Sequence, residues 1–340
     1  MGCSMKEIQI TSNEAGQRLD KLLAKYLKEA PKSFLYKMMR KKNITLNGKK
    51  AQGNEQLNCG DCVRLFLADE TIEKFRGVSV ALQSEKAVRR ERGKNHQVQL
   101  DVIYEDDHII LINKPSGMLS QKAQPQDVSL VEYLTDYLLQ TGSVTAEQLE
   151  LFRPAVCNRL DRNTSGIVIA GKSLVGLQEM SRLLKERTAR KFYRCIVKGE
   201  MSGTQYLDGY LVKDGKTNKV TVSKLPLGKE DKRIETQYRT LASSGGLSLL
   251  EVHLITGRSH QIRAHLASIG HPILGDLKYG DAALNKKYRD SYGIRSQMLH
   301  AYRLEFPRME GELSYLSGKV FRAPMPQEYS ALIAWKDGEE

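Results

Sequence analysis

The sequence predicts an α+β protein of two units, a small one at residues 1–70 and a much larger one at 100–330, joined by a linker at 71–99. First, 340 residues exceed what one hydrophobic core usually serves. Second, the small unit reads as two short helices and a hairpin. Third, several strand-like segments of the larger unit follow one another without helices between them, which favours a large, mostly antiparallel sheet.

The charge of the chain is strongly positive and unevenly distributed. The formal net charge is +13 and the pI is about 9.4. Residues 1–100 hold 20 basic and 11 acidic side chains, so most of the excess lies there. Such an excess predicts a polyanionic partner, either nucleic acid or an acidic membrane surface. No long apolar run supports the membrane alternative, so we expect nucleic acid and no membrane contact.

The small unit is predicted from periodicity and one turn signal. Apolar residues recur at helical spacing over 17–29, and Pro31 is expected to end that helix. A second helix is predicted around 33–41. The pair Asn47-Gly48 is the strongest short signal for a two-residue hairpin. The strands of this unit are placed at 44–46 and 63–67.

Basic side chains occupy the first helix's remaining face, the end of the second helix and the hairpin. On a single helix this pattern is more often a solvated surface. Its presence at three places favours a surface that binds RNA. The candidate contacts are Arg18, Lys21, Lys25, Lys28, Arg40, Lys41 and Lys42. The linker loses hydrophobic periodicity and contains a basic run at 89–94, so we expect it to be flexible.

In the larger unit the apolar pattern switches between strand and helix periods. Helices are predicted at 130–140, directly after Ser173, and at 259–268. The predicted strands lie at 108–112, 166–170, 191–198, 234–241 and 247–254.

The strongest candidate for chemistry is the stretch Asn158-Arg-Leu-Asp-Arg-Asn-Thr-Ser-Gly166, which runs into an apolar strand. Here Asp161 is flanked by Arg159 and Arg162. Guanidinium groups favour an ionised carboxylate and lower its pKa, which suits a nucleophile or electrostatic stabiliser better than a general acid. The arginines would also attract phosphate. Taken alone, Arg-Asp-Arg would be read as a surface ion pair.

This stretch resembles the motif His-Arg-Leu-Asp-Arg-x-Thr-Ser-Gly of the RluA family of RNA pseudouridine synthases. The resemblance implies that Asp161 is the catalytic aspartate. It also implies that Arg159 is the arginine that enters the RNA stack and helps to displace the target uridine. Asn158 departs from the family, which has histidine there.

Three further segments resemble the same family. Residues 103–117 are similar to its first conserved segment, with a tight turn at 115–117. Residues 190–197 are similar to a strand whose tyrosine, here Tyr193, stacks on the extruded base and takes part in proton transfer. Residues 256–266, with 270–276 and 279–280, are similar to the third motif, in which Arg263 pairs with the catalytic aspartate.

The resemblance implies the pseudouridine synthase fold, with a large mixed and mostly antiparallel sheet behind a small α+β RNA-binding domain. It implies an isomerase that flips its target uridine and requires no cofactor. The N-terminal module resembles that of RluC- and RluD-type synthases, so the expected partner is large-subunit ribosomal RNA, with transfer RNA left open. We expect a monomer.

Three alternatives compete with this interpretation. Asn158 would suit a non-catalytic RNA-binding assembly factor with a relic active site. Residues 166–173 match the P-loop pattern GxxxxGK[ST], but the intervening residues are apolar and mostly β-branched, as in a strand. Cys59, Cys62 and the histidines 260, 265 and 271 lack the spacing of a metal site, so no metal is expected.

The compartment is predicted from the start of the chain and the cysteines. Residues 1–7 contain no apolar stretch like that of a signal peptide. Five cysteines, an odd number without disulfide-like spacing, fit a reducing environment. We therefore expect a cytoplasmic protein.

Overall fold

The computed structural model describes residues 5–76, 99–146, 148–213, 219–228 and 230–334. Most of the predicted linker, including its basic run, lies outside these residues. Among the helices within them, none has the length and hydropathy needed to cross a membrane.

The small unit is a four-stranded antiparallel sheet covered by helices. The strand order is β1-β4-β2-β3. Two of its elements, β1 and α3, are additions to the sequence prediction. In chain order the elements are β1 (Met5–Gln9), α1 (Leu19–Tyr26), α2 (Lys32–Arg40), β2 (Ile44–Leu46), β3 (Lys49–Lys50), β4 (Cys62–Phe66) and α3 (Asp69–Arg76).

The predicted hairpin is confirmed. Asn47 and Gly48 have φ angles of 51° and 73°, and Leu46 pairs directly with Lys49. Positive φ at both central residues is the geometry of a type I′ turn, whose twist matches that of the flanking strands. Asn47 is further held by its side chain, which donates to Asp61 at 2.8 Å. The turn therefore fixes the register of this edge of the sheet.

The helix boundaries of the small unit differ from the prediction. Helix α1 ends at Tyr26, and Pro31 does not end it but caps the start of α2. A φ of −58° at Pro31 suits that position because proline lacks the N–H that a helix start leaves unpaired. The unit, expected to end at about residue 70, continues to Arg76, since Ile72 and Phe75 of α3 join the same core.

The larger unit is built on an eleven-stranded sheet within the described residues. Its main path is β11-β10-β12-β13-β9-β14-β8-β6-β5, with β15 on β14 and β7 on β8. The strands are β5 (Val102–Glu105), β6 (Ile109–Lys114), β7 (Ala155–Val156), β8 (Ser165–Gly171), β9 (Arg190–Lys198), β10 (Thr204–Lys213), β11 (Val220–Ser223), β12 (Lys232–Ser244), β13 (Leu247–Leu254), β14 (Leu299–Glu305) and β15 (Val320–Arg322).

Helices and one 3₁₀ segment connect these strands. They are α4 (Leu130–Gln140), α5 (Gln148–Leu151), α6 (Leu174–Glu186), α7 (Gln261–Ser268), α8 (Ala282–Tyr292), a 3₁₀ turn (Gly311–Leu316) and α9 (Gln327–Leu332). Helix α4 has its predicted bounds because Ser129 and Glu132 form a reciprocal capping box at its start.

The mixed, mostly antiparallel sheet is as predicted. Among the described pairings β8 and β14 run parallel, whereas the neighbours from β9 to β11 are antiparallel throughout. The parallel pair begins at Ser165 and Gly166, immediately after the turn that carries Asp161. A Cβ on Gly166 would lie 2.2 Å from the carbonyl oxygen of Ala301, so this close approach requires glycine. The motif glycine thus brings the Asp161 turn against β14.

The P-loop interpretation is wrong. The residues between Gly166 and Gly171 are all in β8 and pair with β6, so they form no phosphate-cradling loop. Ser173 caps α6, its hydroxyl accepting from the backbone N–H of Gly176 at 3.0 Å. The strand predicted at 166–170 and the helix predicted directly after Ser173 are confirmed.

The two units are in contact through α5. Leu151 is buried in the core of the small unit, and Glu150 forms an ion pair with Arg76 at the end of α3. The Arg76 guanidinium also lies 4.9 Å from the centre of the Tyr26 ring. The apolar face of the small unit is therefore completed by a residue of the larger one.

Candidate active site

The turn that carries Asp161 is held by the segment after β6. Ser120 accepts from the backbone N–H of Leu160 and donates to the carbonyl of the same residue, both at 3.0 Å. The backbone N–H of Gly117 donates to the carbonyl of Arg162 at 2.9 Å. The predicted turn at 115–117 and Ser120 thus hold the backbone on both sides of Asp161 by hydrogen bonds.

Lys114, a buried cation, adds hydrogen bonds between the same two segments. Its ammonium donates to the carbonyls of Pro115, Met118 and Arg162 at 2.9, 2.8 and 3.1 Å. Burial lowers the pKa of Lys114 to about 8, against the opposing effect of the Asp161 carboxylate. The ammonium thus ties the first segment to the Asp161 turn. Sequence reasoning gave Lys114 no role of its own.

Asp161 is paired with Arg263, which is itself anchored by Asp276. Nη1 of Arg263 donates to Oδ2 of Asp161 at 2.7 Å. Its Nε and Nη2 donate to the two carboxylate oxygens of Asp276 at 2.7 and 2.8 Å. The guanidinium therefore makes a bidentate contact with a carboxylate that is 0% exposed and keeps one N–H for Asp161, which is 27% exposed.

The charges of this network reinforce one another. Burial alone would lower the pKa of Arg263, but its contacts with Asp276 and then Asp161 outweigh burial and raise it. Burial alone would raise the pKa of Asp276, but Arg263 and the N–H groups of Lys278 and Tyr279 outweigh it and lower the pKa. Asp276 lies in the segment that resembles the third motif, but its place beside Arg263 was not predicted, because a pairing across 13 residues has no local signature.

The flanking arginines do not pair with Asp161. Within the described residues its ion-pair contacts are with Arg263 and, at 3.9 Å, with His260. Arg162 turns to the carbonyl of Gly117 at 3.2 Å, and Arg159 is exposed toward the cleft. The expectation that neighbours in sequence would hold the carboxylate is corrected: a side chain 102 residues away does so.

His260 and Tyr279 form a second support beside Asp161. Nδ1 of His260 lies 2.9 Å from the Tyr279 hydroxyl, which also accepts from the backbone N–H of Val220. That acceptance leaves the hydroxyl proton for Nδ1, so we assign the imidazole proton to Nε2, the nitrogen facing Asp161. Burial is the main cause that lowers the pKa of His260, outweighing the Asp161 charge. The ring of Tyr279 lies 5.1 Å from the Arg263 guanidinium.

Neither of the other two motif histidines joins His260. Nδ1 of His265 lies 3.0 Å from the Thr236 hydroxyl, and Nδ1 of His271 lies 2.9 Å from the carbonyl of Lys198. Three separate partners therefore account for the three side chains. His260 was considered in the sequence only as a metal ligand, and its left-handed backbone (φ 59°) could not be foreseen there.

Tyr193 lines the same cleft from β9. The side chain is buried, and burial, followed by the charge of Asp161, raises its pKa. Asn158, at the position of the family histidine, accepts from the backbone N–H of Ile169 at 2.8 Å. This hydrogen bond holds the segment before Asp161 against β8.

Asp161, Tyr193, Arg263 and Arg159 line one cleft of about 810 Å³. The predicted RNA contacts of the small unit lie elsewhere, on α1, α2 and the turn after α2. Of these, Arg18 is paired with Asp20 at 3.0 Å, and Lys25 donates to Gln17 at 3.1 Å. The exposed remainder are Lys21, Lys28, Arg40, Lys41 and Lys42.

Comparison with known proteins agrees with this geometry. Residues 108–268 match the family model described as RNA pseudouridylate synthase. The ribosomal large subunit pseudouridine synthase C of Vibrio parahaemolyticus is 32% identical over 300 residues, 88% of this chain and 87% of that protein. Its Escherichia coli K12 counterpart is 30% identical over 327 residues, 96% and 94% of the two chains. This chain belongs to the RluA family of RNA pseudouridine synthases.

The solved structures support the fold of the synthase. A human protein titled RNA pseudouridylate synthase domain containing 4 superposes with a TM-score of 0.53 at 21% identity, over 73% of this chain and 94% of that one. This likeness supports the α+β architecture that the motifs predicted. The family, shown by the relatives above, makes the synthase an isomerase. Its cleft lies where the family's motifs converge, at the end of β8 facing β9 and α7.

Proposed function

We propose that this synthase isomerises uridine in large-subunit ribosomal RNA, with Asp161 as the catalytic carboxylate and Tyr193 and Arg263 as its partners. The observation that carries the proposal is the contact of Asp161 with Arg263 at 2.7 Å, in a cleft where Tyr193 is the buried aromatic neighbour. Relatives that match nearly the whole chain are named as large-subunit enzymes.

The chemistry requires an ionised carboxylate next to an extruded uridine. The bond from ribose to base nitrogen breaks, the base rotates, and a ring carbon forms the new bond. The carboxylate attacks the anomeric carbon, attacks the base, or removes a sugar proton; each route begins from the same ionised group. Arg263 keeps Asp161 paired until the base enters, and Leu160 and Ile262 help to exclude water.

Tyr193 supplies a surface for the flipped base. Because its pKa is raised, the phenol stays protonated at neutral pH, which favours stacking and hydrogen-bond donation over action as a base. Arg159 faces the cleft and is placed to fill the gap that the uridine leaves in the RNA stack. The N–H groups of Arg162 other than Nε remain for phosphate.

The small unit, residues 5–76, is assigned to RNA affinity and the unit from residue 99 onward to the chemistry. The basic residues of α1, α2 and the turn after α2 are exposed, as phosphate contacts must be. With ribosomal RNA as the proposed substrate, we predict that the synthase acts in the cytoplasm. A single copy holds all the proposed catalytic residues, so we predict a monomer, which light scattering at micromolar concentration tests.

Release of tritium from RNA labelled at uridine C5 tests the reaction. The parent should release tritium, whereas Asp161→Asn should release none while binding the RNA equally well. Asp290→Asn, a change of an exposed aspartate on α8, is the matched control and should retain parental activity. An inactive parent would favour the relic assembly factor, and clear turnover by Asp161→Asn would remove Asp161 from its role.

Mapping pseudouridine in a strain that lacks this gene tests the substrate. The account predicts that one or more sites vanish from large-subunit ribosomal RNA. Loss from transfer RNA alone would contradict the proposed substrate and leave the reaction standing.

A further inference from the structure

The walls of the cleft are far more basic than Asp161 requires. Seven lysines and arginines line the cleft against one carboxylate, counted over the described residues. Arg263 serves Asp161, and Lys122 pairs with Glu132. Five others have no carboxylate within ion-pair distance in the described part of the chain: Arg159, Lys185, Arg187, Lys191 and Arg258. Such a concentration of one sign attracts an anionic ligand.

Lys191 stands apart from the others because it is partly buried. It precedes Tyr193 by two residues on β9, so both side chains project from the same face of the sheet into the cleft. Burial, followed by the charge of Arg187, lowers its pKa. Across the described residues its ammonium has no hydrogen-bond acceptor, in contrast to Lys114, which has three. A partly desolvated ammonium beside another cation is stabilised when an anion binds next to it.

Two backbone features preserve this arrangement. A Cβ on Gly257 would lie 3.3 Å from Nζ of Lys191, so the glycine leaves room for the ammonium. Arg187 ends α6 with a φ of 62°, a left-handed conformation that favours glycine. The chain retains an arginine at this strained position, next to Lys191. Arg258, directly after Gly257, faces the same cleft.

We propose that Lys191, Arg187 and Arg258 form a subsite for one phosphodiester of the RNA strand beside the target uridine. The subsite rests on the proposed function, since RNA supplies the phosphate. Residues two apart on a strand are separated by roughly 6.7 Å, so the ammonium lies about one nucleotide away from the base stacked on Tyr193. The subsite fixes the backbone while the base is held against Asp161.

The salt dependence of binding tests the subsite without any turnover. The probe is fluorescein-labelled dodecauridylate, titrated into the full chain over a range of KCl concentrations. Lys191→Met should weaken binding and make the slope of log K against log salt shallower by at most about 0.7, the value for complete loss of one phosphate contact on a single strand. Lys198→Met, at the other end of β9 where the lysine pairs with Asp281, should leave the slope unchanged. Equal slopes for the parent and Lys191→Met would overturn the subsite.

Gly257→Ala provides a variant with unchanged charge. Its backbone lies outside the left-handed region, so the new methyl group acts mainly by crowding Nζ of Lys191. We expect several-fold weaker binding than the parent at low salt. In the Lys191→Met background the same alanine should have little further effect. Independent effects of the two substitutions would contradict a shared subsite.

Replacement of single phosphates locates the contact. In an RNA stem-loop that the parent converts, methylphosphonates are placed one at a time around the uridine. At one position the methylphosphonate should weaken RNA binding by the parent but have little further effect on binding by Lys191→Met. Additive losses of affinity at every position would overturn the subsite. If the parent releases tritium but the losses of affinity are additive, the proposed reaction stands and the subsite is wrong. If the parent releases no tritium but Lys191→Met has the shallower salt slope, the subsite stands and the proposed reaction is wrong.

Discussion

Two arginine–aspartate pairs, one in each unit, have nearly the same geometry and different surroundings. In the small unit Arg18 contacts Asp20 through Nε and Nη2 at 3.1 and 3.0 Å, with the arginine side chain 49% exposed. In the larger unit Arg263 contacts Asp276 through the same two nitrogens at 2.7 and 2.8 Å, with the arginine 9% exposed. Exposed pairs of this kind are worth little in stability, whereas breaking a buried pair is costly.

The same contrast holds for the basic residues of the two units. On α1 and α2 the basic side chains are exposed, so salt would screen the attraction of each to the RNA that we propose they bind. In the cleft Arg159, Arg187 and Arg258 are exposed as well, whereas Arg263 is 9% exposed, and its burial strengthens the contact that positions Asp161. Burial therefore distinguishes Arg263, which we assign to the chemistry, from the exposed basic residues of α1 and α2, which we propose contact RNA.

Arg263→Ala should have the largest effect, and Arg18→Ala is its matched control. Loss of Arg263 leaves the buried Asp276 unpaired and should lower the free energy of unfolding by about 3–5 kcal/mol. Turnover should fall below detection at temperatures where the variant remains folded. Arg18→Ala should cost about 1 kcal/mol or less. Urea unfolding and tritium release measure both effects, and similar unfolding costs for the two variants would break the comparison.

Acid should destabilise the larger unit through His300. Burial is the main cause that lowers its pKa in the folded protein to about 4, against 6.5 as the ordinary value. Between these values the unfolded chain binds a proton that the folded chain does not, so stability is present above pH 6.5 and is lost as the pH falls toward 4. The full effect is on the order of 3 kcal/mol.

His300→Gln isolates that effect. Urea unfolding at pH 7.5 and pH 5 should show a smaller acid loss in the variant than in the parent. Residues 1–76 contain no histidine, so amide exchange in full-length protein should accelerate in β14 before it does in α1. An equal acid loss in parent and variant would show that His300 does not carry the proton linkage.

Tyr279→Phe should have the smallest effect. The ring over Arg263 remains, but the hydroxyl that orients His260 beside Asp161 is gone. We expect turnover to fall by about fivefold, which corresponds to about 1 kcal/mol, with RNA affinity unchanged. Tyr206→Phe, which removes an exposed hydroxyl bonded to Glu235, should match the parent. A change in affinity with normal turnover would make Tyr279 an RNA contact.

The elements that depend on residues close to them in sequence were predicted well from the sequence. The Asn47-Gly48 turn, the capped helix α4 and the apolar strands β8 and β13 were predicted close to their bounds, because each depends on residues near it in the chain. The missed elements depend on distant partners. Strand β1 has one buried residue, Ile8, and exists because it pairs with β4 about 55 residues later.

The candidate site divides in the same way. Asp161, Tyr193 and Arg263 were found from motifs, but the anchor Asp276, the buried Lys114 and the left-handed His260 were not given their places. The contacts that place them join Asp276 to Arg263, Lys114 to Arg162 and His260 to Asp161, across 13, 48 and 99 residues of sequence. Periodicity cannot report such contacts, since it describes which face of an element is apolar and not which polar groups meet.

Single-turnover pseudouridine formation, measured against enzyme concentration, tests most directly whether chemistry and affinity reside in the two units. Three full-length proteins are compared: the parent, Asp161→Asn, and a variant with Lys25, Lys28, Arg40, Lys41 and Lys42 changed to Met. Asp161→Asn should bind RNA as the parent does and form at least about a thousandfold less product. The methionine variant should need more enzyme to saturate yet reach the parental rate, with a shallower salt slope. A lower saturating rate with unchanged affinity in that variant would contradict the account.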